Sequence, residues 1–196
     1  MAGPSNAVAR GLLEPLSAWD EGRISLVGPA GCGKTHLARV WAVRQDAIWV
    51  GPEMTDLTPL RGRAAVVENA DSFAAHEVLF HLINMAARAS PLLLTARIAP
   101  VMWRTTVPDL RSRLNALHVV QIAPPDDVVL AGLLRKLFRE RNIVPIDDVI
   151  PYLLSRLERS APAAMRAVRE IDALADAEGR NITRAFVQKF FDKENK

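Results

Sequence analysis

A glycine-rich segment, GPAGCGKT at residues 28–35, constrains the fold of this 196-residue chain more than any other feature. It matches the pattern G-x-x-x-x-G-K-[ST], and it lies between the apolar run ISLV at 24–27 and the helical pattern LARVWAV. Glycine at the turning positions lets consecutive backbone N–H groups point at phosphate oxygens, and the helix that follows adds the positive end of its dipole. The segment therefore predicts a strand, a phosphate-binding loop and a helix, in that order.

The side chains at the end of this loop have separate predicted roles. Lys34 would reach the β- and γ-phosphates of a nucleotide, and the Thr35 hydroxyl would bind the accompanying Mg²⁺. The histidines show no metal-ligand spacing, so no other metal is predicted. The predicted nucleotide contacts in this segment are Gly28, Pro29, Ala30, Gly31, Cys32, Gly33, Lys34, Thr35 and His36.

A carboxylate is expected at the end of a second buried strand, where it supports Mg²⁺. Glu68, in AAVVENADSF, has this position, so Thr35 and Glu68 are the predicted metal residues. The next residue, where a base would prepare the attacking water, is Asn69, and an amide cannot take a proton from water at neutral pH. Asp71 follows two residues later and need not face the phosphate. The sequence therefore predicts weak intrinsic hydrolysis at most.

Short apolar runs alternate with helical patterns over the first two thirds of the chain. Continuous apolar runs suit strands that are buried on both faces, as in a parallel sheet, and the alternation predicts a doubly wound α/β fold. The runs are ISLV (24–27), AIWV (47–50), AAVV (64–67), PLLLTA (91–96) and HVVQI (118–122). We expect a five-stranded parallel sheet with helices on both faces.

The pattern changes after IAPPDD, where four helical segments follow without a strand-like run. Three of these helices have a predicted N-cap residue, namely Asp126 or Asp127, Ser160 and Thr183. The third helix is expected to bury one face that consists of Met165, Val168, Ile171 and Ala175. The predicted domains are an α/β core over 1–124 and an α-helical unit over 125–196.

Composition and charge limit the localisation and the partners. A formal net charge of +3 is too small to argue for nucleic acid, and no stretch approaches the roughly 20 apolar residues that cross a bilayer. A single cysteine cannot form an internal disulfide, and the N-terminus MAGPSNAVAR has no apolar signal-peptide region. We therefore predict a cytoplasmic protein without membrane contact.

Several motifs, in order along essentially the whole chain, resemble the DnaA family of AAA+ ATPases and most closely its Hda-like regulators. GPSNA at 3–7 is similar to the segment that packs beside the nucleotide base, GPAGCGKTHLA to the phosphate loop and PLLLTAR to the first sensor strand. VPDLRSRLNA at 107–116 resembles the arginine-finger segment, and SAPAAMRAVREID at 160–172 resembles the lid helix with the second sensor arginine. The resemblance implies an AAA+ core and a C-terminal α-helical lid that bind ATP or ADP with Mg²⁺.

The resemblance also implies roles for residues outside the phosphate loop. Arg113 maps to the arginine finger, and Arg166 maps to the sensor arginine of the lid. Thr95 is the implied polar contact of the first sensor strand, and Pro4 and Asn6 lie in the segment beside the base. On the residues alone, a solvated basic face would explain Arg113 equally well, and a snorkelling surface arginine would explain Arg166.

The function that the resemblance implies is exerted on another protein. Arg113 would act in trans in the ATP site of the initiator DnaA, promote hydrolysis of the bound ATP and so limit the initiation of chromosomal DNA replication. Asn69 after the acidic residue resembles the Hda-like regulators, whereas Arg97 replaces the acid of the family's T-x-D-R sensor pattern. Self-association through the AAA+ interface is compatible with this function.

Other partners of the family are less supported by the sequence. Direct DNA binding is not expected, because the chain stops after the lid and GPEMTDLTPLRGR at 51–63 is too short for the initiator's DNA-gripping helix. The sliding clamp is held in Hda-like proteins by a glutamine- and leucine-rich motif that this chain lacks. QKFF at 188–191 resembles a clamp peptide faintly, but its phenylalanines are expected to be core residues.

Two alternative functions stay open at this point. One is an autonomous AAA+ ATPase such as a helicase loader, which would need a substitute for the missing base after Glu68. The other is a small P-loop kinase, although the helical region offers no obvious acid that would bind an acceptor.

Overall fold

The apolar runs form a five-stranded parallel sheet in the order β2-β3-β4-β1-β5 in this computed structural model. The strands are β1 (Arg23–Val27), β2 (Ile48–Trp49), β3 (Ala65–Val67), β4 (Leu92–Ala96) and β5 (His118–Gln121). The central strands β1 and β4 are buried along their whole length, whereas only one residue of the edge strand β5 is buried. The structure describes residues 3–13, 19–146 and 148–194. The predicted parallel sheet of five strands is confirmed.

Helices cover both faces of this sheet. They are α1 (Ala7–Leu13), α2 (Lys34–Gln45), α3 (His76–Met85) and α4 (Pro108–Asn115). Side chains alternate between the faces, so Leu93 of β4 joins the cluster that contains α1 and α2. Its neighbours Leu92 and Leu94 join the cluster that contains α3 and α4. The doubly wound α/β arrangement is therefore confirmed.

The C-terminal region forms a separate helical unit. Its helices are α5 (Asp127–Arg139), α6 (Val149–Arg156), α7 (Ala161–Glu178) and α8 (Arg184–Glu194). The side-chain oxygens of three predicted N-caps accept backbone N–H groups: Asp126 from Val129 (2.9 Å), Ser160 from Ala163 (3.3 Å) and Thr183 from Phe186 (3.2 Å). The predicted caps are confirmed, with Asp126 rather than Asp127 at the start of α5.

One residue of the predicted core of α7 is misplaced. Met165 is 55% exposed, whereas Val168 and Ile171 are completely buried. Ala164 belongs to the buried stripe of α7 instead, because residues 164, 168, 171 and 175 follow the helical period and residue 165 lies about 100° from residue 164. The prediction for Met165 was wrong.

The phenylalanines of QKFF lie in the helical unit's own core. Phe190 is buried, and the ring of Phe191 packs edge-on against Tyr152 with the centroids 6.2 Å apart. Their assignment as core residues is confirmed.

The chain divides into two compact units. One is formed by Asn6–Ala123, and the other contains the residues from Pro124 onward together with the N-terminal residues up to Ser5. This grouping of the N-terminal residues was not predicted. Between β2 and β3 the chain forms a short 3-10 turn, Thr58–Leu60. Within the described parts of the chain, no helix combines the length and the apolar character that a membrane crossing requires.

Candidate functional site

The glycine-rich loop connects the carboxyl end of β1 to the start of α2. Its first residue, Gly28, lies so close to Ile122 that a Cβ atom there would come within 2.4 Å of the Ile122 carbonyl oxygen. Gly33 has φ 100°, which favours glycine, and no side chain caps the N-terminus of α2 among the described residues. The first N–H groups of α2 therefore point out of the helix without a side-chain acceptor, as a bound anion requires.

Lys34 is folded into this loop. Its ammonium group donates hydrogen bonds to the carbonyl oxygens of Gly28 (2.7 Å) and Pro29 (2.9 Å), and it lies 3.8 Å from the Cys32 sulfur. Only 7% of Lys34 is exposed, so its positive charge is held inside the turn of the loop. Pro29 and Ala30, by contrast, are exposed at the outer side of the loop.

Thr35 and Glu68 contact each other directly. The Thr35 hydroxyl donates to Oε1 of Glu68, the residue that follows β3. A hydroxyl and a carboxylate are the hard oxygen ligands that Mg²⁺ takes, and these two are joined beside the phosphate loop. The residues present thus fit a Mg²⁺ ion that accompanies a nucleotide.

The predicted sensor residue Thr95 supports the turn that follows Glu68. Thr95 is 1% exposed, and its hydroxyl oxygen accepts the backbone N–H of Asn69 at 3.1 Å. Asn69 has φ 51° and ψ 47°, a left-handed conformation that asparagine tolerates better than most residues. The backbone geometry of this turn gives a reason for asparagine that is independent of catalysis.

The carboxylate of Asp71 is bonded to backbone. Its Oδ2 accepts the N–H of Arg97 at 3.0 Å, which connects the turn after β3 to the residue after β4. Sequence reasoning did not find this contact, because the two residues are 26 positions apart and share no local pattern. Arg97 itself is exposed.

The two arginines of the PDLRSRL segment have different surroundings. Arg111 donates to the carbonyl oxygens of Val101 (2.9 Å) and Trp103 (2.5 Å), so it fixes the loop before α4. Arg113 is exposed and has no hydrogen bond or ion pair with the residues that the structure describes. Of this pair, Arg113 is the arginine whose guanidinium can bind an external group.

Arg113 lies close to Arg23, the first residue of β1. Arg23 is buried, forms an ion pair with Glu21 and donates to the Ile83 carbonyl at 3.1 Å. Burial lowers the pKa of the Arg23 guanidinium, and the charge of Arg113 lowers it further. Sequence reasoning did not find this buried arginine, because a charge at the start of a strand is usually solvated.

The remaining predicted contacts lie on separate elements. Arg166 is exposed on α7 in the helical unit, where it lines a cavity of about 140 Å³ with Arg156 and Glu170. Pro4 and Asn6 belong to a 3-10 helix that directly precedes α1, and His36 is exposed in the first turn of α2. The structure therefore places Lys34, Thr35, Glu68 and Thr95 at the glycine-rich loop and the adjoining turn after β3. The other predicted contacts stay predictions.

Fold comparison identifies the class of fold that this arrangement adopts. The parallel sheet, the phosphate loop after β1 and the helical C-terminal part together form the AAA+ fold. No protein-family model matches the chain.

Within that class, the fold is DnaA-like. The chain is similar to domain III of the replication initiation protein DnaA from Thermotoga maritima, with 14% identity over 95% of this chain and 90% of that one (TM-score 0.76). It is similar to AMPPCP-bound DnaA from Aquifex aeolicus, with 17% identity over 100% and 68% of the two chains (TM-score 0.71). A RuvB P216G mutant from Thermotoga maritima has 16% identity over 97% and 68% (TM-score 0.70).

Proposed function

We propose that this chain is a DnaA-related regulator that binds ATP or ADP with Mg²⁺ and promotes hydrolysis of DnaA-bound ATP through Arg113. The expected output is a lower level of ATP-bound initiator and restrained initiation of chromosomal replication. Several motifs resemble those of the Hda-like proteins, and the Aquifex DnaA that shares the fold carries the ATP analogue AMPPCP. We place the protein in the cytoplasm, where the initiator acts.

Nucleotide binding is supported by the chemistry of the loop around Lys34. The glycines, the uncapped N-terminus of α2 and the buried ammonium group create a positive environment for phosphate. Thr35 and Glu68 would hold Mg²⁺, which would neutralise phosphate charge when bound. In this proposal Arg166 of the lid and the 3-10 helix with Pro4 and Asn6 complete the nucleotide contacts.

Slow hydrolysis by the chain itself is supported by the turn after Glu68. Asn69 cannot accept a proton from water, and the carboxylate of Asp71 accepts a backbone N–H of Arg97. The bound nucleotide would therefore act as a conformational latch that holds the lid in one arrangement rather than as a fuel.

The observation that carries action in trans is the position of Arg113 near the C-terminus of α4. The phosphate loop follows the carboxyl end of β1, whereas α4 leads into the amino end of β5, which pairs in parallel with β1. The five residues of β1 separate these ends by roughly 13 Å at about 3.3 Å per residue, more than an arginine side chain spans. The Arg113 guanidinium is exposed and has no bonding partner in the described parts of the chain, which suits a phosphoryl group in a neighbouring molecule.

A single-turnover assay tests this role. DnaA is loaded with radiolabelled ATP and mixed with the wild-type chain, Arg113→Ala, Arg113→Lys or the matched control Arg104→Ala, with and without sliding clamp on DNA. We expect Arg113→Ala to lose stimulation by about 10³-fold or to background, since fingers in trans contribute on the order of 10³–10⁵. Arg113→Lys should recover only part, because lysine lacks the planar fork. Arg104, which is exposed just upstream of this segment, should be dispensable.

Three results would contradict the proposal. Undiminished stimulation by Arg113→Ala would remove the finger role, provided that nucleotide binding by the variant is intact. Rapid ATP turnover by the chain alone would favour an autonomous ATPase such as a helicase loader. Transfer of phosphate to a small molecule would favour a kinase.

A further inference from the structure

Asp126 joins the N-terminal segment to the first turn of α5. Its Oδ2 accepts the backbone N–H of Ser5 at 2.8 Å, and its Oδ1 accepts the N–H of Val129 at 2.9 Å. In return, the backbone N–H of Asp126 is directed at the Ser5 hydroxyl oxygen, at 3.4 Å. The two residues thus bond reciprocally although 121 positions separate them.

Gly3 provides a second contact between the same elements. A Cβ atom on Gly3 would lie 2.4 Å from Cγ2 of Val129 and 2.8 Å from a carboxylate oxygen of Asp126. The backbone of the segment therefore packs against the side chains of Val129 and Asp126, and a side chain at residue 3 would force these atoms or the segment to move. Two consecutive features of the segment, a close backbone approach and a pair of hydrogen bonds, fix its register on the helix.

The charge of Asp126 strengthens these bonds. The N–H of Ser5 and then the N–H of Val129 lower the pKa of the Asp126 carboxyl group, so both oxygens are acceptors at neutral pH. Asp127 differs, because it is exposed and its carboxylate pairs with Arg159 at 2.5 Å. The two adjacent aspartates therefore make different contacts: Asp126 binds backbone N–H groups, and Asp127 forms an ion pair.

We propose that Asp126 is a positioning residue for nucleotide recognition, which fastens the base-contacting segment to the helical unit. The inference rests on the proposed function, in which Pro4 and Asn6 contact the adenine base. Holding Ser5 restricts the backbone of both its neighbours before the nucleotide arrives, so less conformational entropy is lost on binding. Adenine-dependent affinity should therefore require Asp126, while phosphate-dependent affinity should not.

Titration calorimetry with two probes separates these contributions. ADP reports on base and phosphate contacts together, and inorganic tripolyphosphate reports on the phosphate loop alone. The variant Asp126→Asn keeps the shape of the side chain but offers one acceptor oxygen instead of two. We expect it to bind ADP about 5- to 10-fold more weakly than wild type and to bind tripolyphosphate equally well.

Further variants separate positioning from a loss of stability. Gly3→Val, which leaves the Asp126–Val129 cap in place, should show the same selective loss because its side chain would displace the segment from α5. Asp127→Asn is the matched control and should bind both probes as wild type does. Far-UV circular dichroism and unfolding midpoints establish that each variant is folded.

The outcomes distinguish the inference from the proposed function. A selective loss of ADP affinity in both variants supports the inference. Unchanged ADP affinity in Asp126→Asn, or an equal loss for both probes, overturns it while nucleotide binding by the wild type stands. A wild-type chain that binds neither probe refutes the proposed function and the inference together.

Discussion

Two buried tryptophans stack in the core cluster that contains α1 and α2, and the surroundings of their indole N–H groups differ. Trp19, just before β1, and Trp41, on α2, have ring centroids 5.1 Å apart and an interplanar angle of 11°. Nε1 of Trp19 donates to the Leu12 carbonyl at 2.7 Å, whereas Nε1 of Trp41 has no partner among the described residues. The same substitution, Trp→Phe, should therefore have unequal effects at the two positions.

The difference can be worked out from these contacts. The smaller ring costs about 1–2 kcal/mol in packing at either site, because both side chains are almost completely buried. Trp19→Phe also leaves the Leu12 carbonyl without its donor, which adds about 1–3 kcal/mol. Trp41→Phe instead removes a buried donor that lacks an acceptor, and the free energy that this recovers should be similar to the packing cost. We expect Trp19→Phe to lower the unfolding free energy by about 2–5 kcal/mol and Trp41→Phe to change it by about 1 kcal/mol or less.

Urea denaturation followed by far-UV circular dichroism measures both changes, since helix content reports unfolding without depending on tryptophan fluorescence. Equal slopes of the transitions are required before the free energies are compared. If Trp41→Phe destabilised the chain as much as Trp19→Phe does, the reasoning from the unpartnered indole would be refuted. A nucleotide titration of both variants then shows whether this stack also fixes α2 for phosphate binding.

Two further predictions follow from the glycine contacts and from Asp126. Gly28→Ala should abolish tripolyphosphate binding in calorimetry, because its Cβ would lie 2.4 Å from the Ile122 carbonyl oxygen. Gly11→Ala is the control, since a Cβ atom there meets only open space beside helix α1. This variant should bind tripolyphosphate normally and gain up to about 1 kcal/mol of stability. Hydrogen bonds to Ser5 and Val129 lower the pKa of Asp126 in the folded state, so its stabilising contribution is complete above its unfolded pKa of about 3.9 and is lost as the pH falls through the folded value. When the unfolding free energy is measured at decreasing pH, Asp126→Asn should therefore lose less stability than wild type. Equal losses in the two proteins would disprove the link between the Asp126 pKa and stability.

Local signals in the sequence were sufficient for the sheet and the phosphate loop. Each strand contains a short apolar run, and the loop carries its own spacing of glycine, lysine and threonine, so neither prediction depended on distant residues. An N-cap at Asp126 or Asp127 was also predicted, because the acceptor of a cap and the N–H that it accepts lie within one helical turn, and Asp126 is the cap. Features determined within a few residues are the ones that a single sequence can specify.

Contacts between distant segments could not be predicted in this way. Asp71 follows Glu68 by three positions, but its partner is the N–H of Arg97, and only the sheet order brings these loops together. The hydrogen bond between Asp126 and Ser5 joins residues that are even further apart in the sequence, at a separation of 121 positions. Met165 shows a different limit, because one step along a helix turns a side chain from the core to the solvent.

The direction of the strands connects the proposed roles of the two ends of the sheet. In a parallel sheet all carboxyl ends share one edge, so the loop after β1 and Glu68 after β3 lie together, and the residues that precede β5 lie at the opposite edge. Arg113 precedes β5, so in the proposed function its guanidinium would reach a phosphate site in a second molecule that presents its own carboxyl edge. Such a contact joins unlike surfaces, so one partner gives the arginine while the other holds the ATP that is hydrolysed. Under this proposal, Asn69 in place of a base would not impair the function, because the hydrolysis that the chain is proposed to promote would use the partner's own catalytic residues.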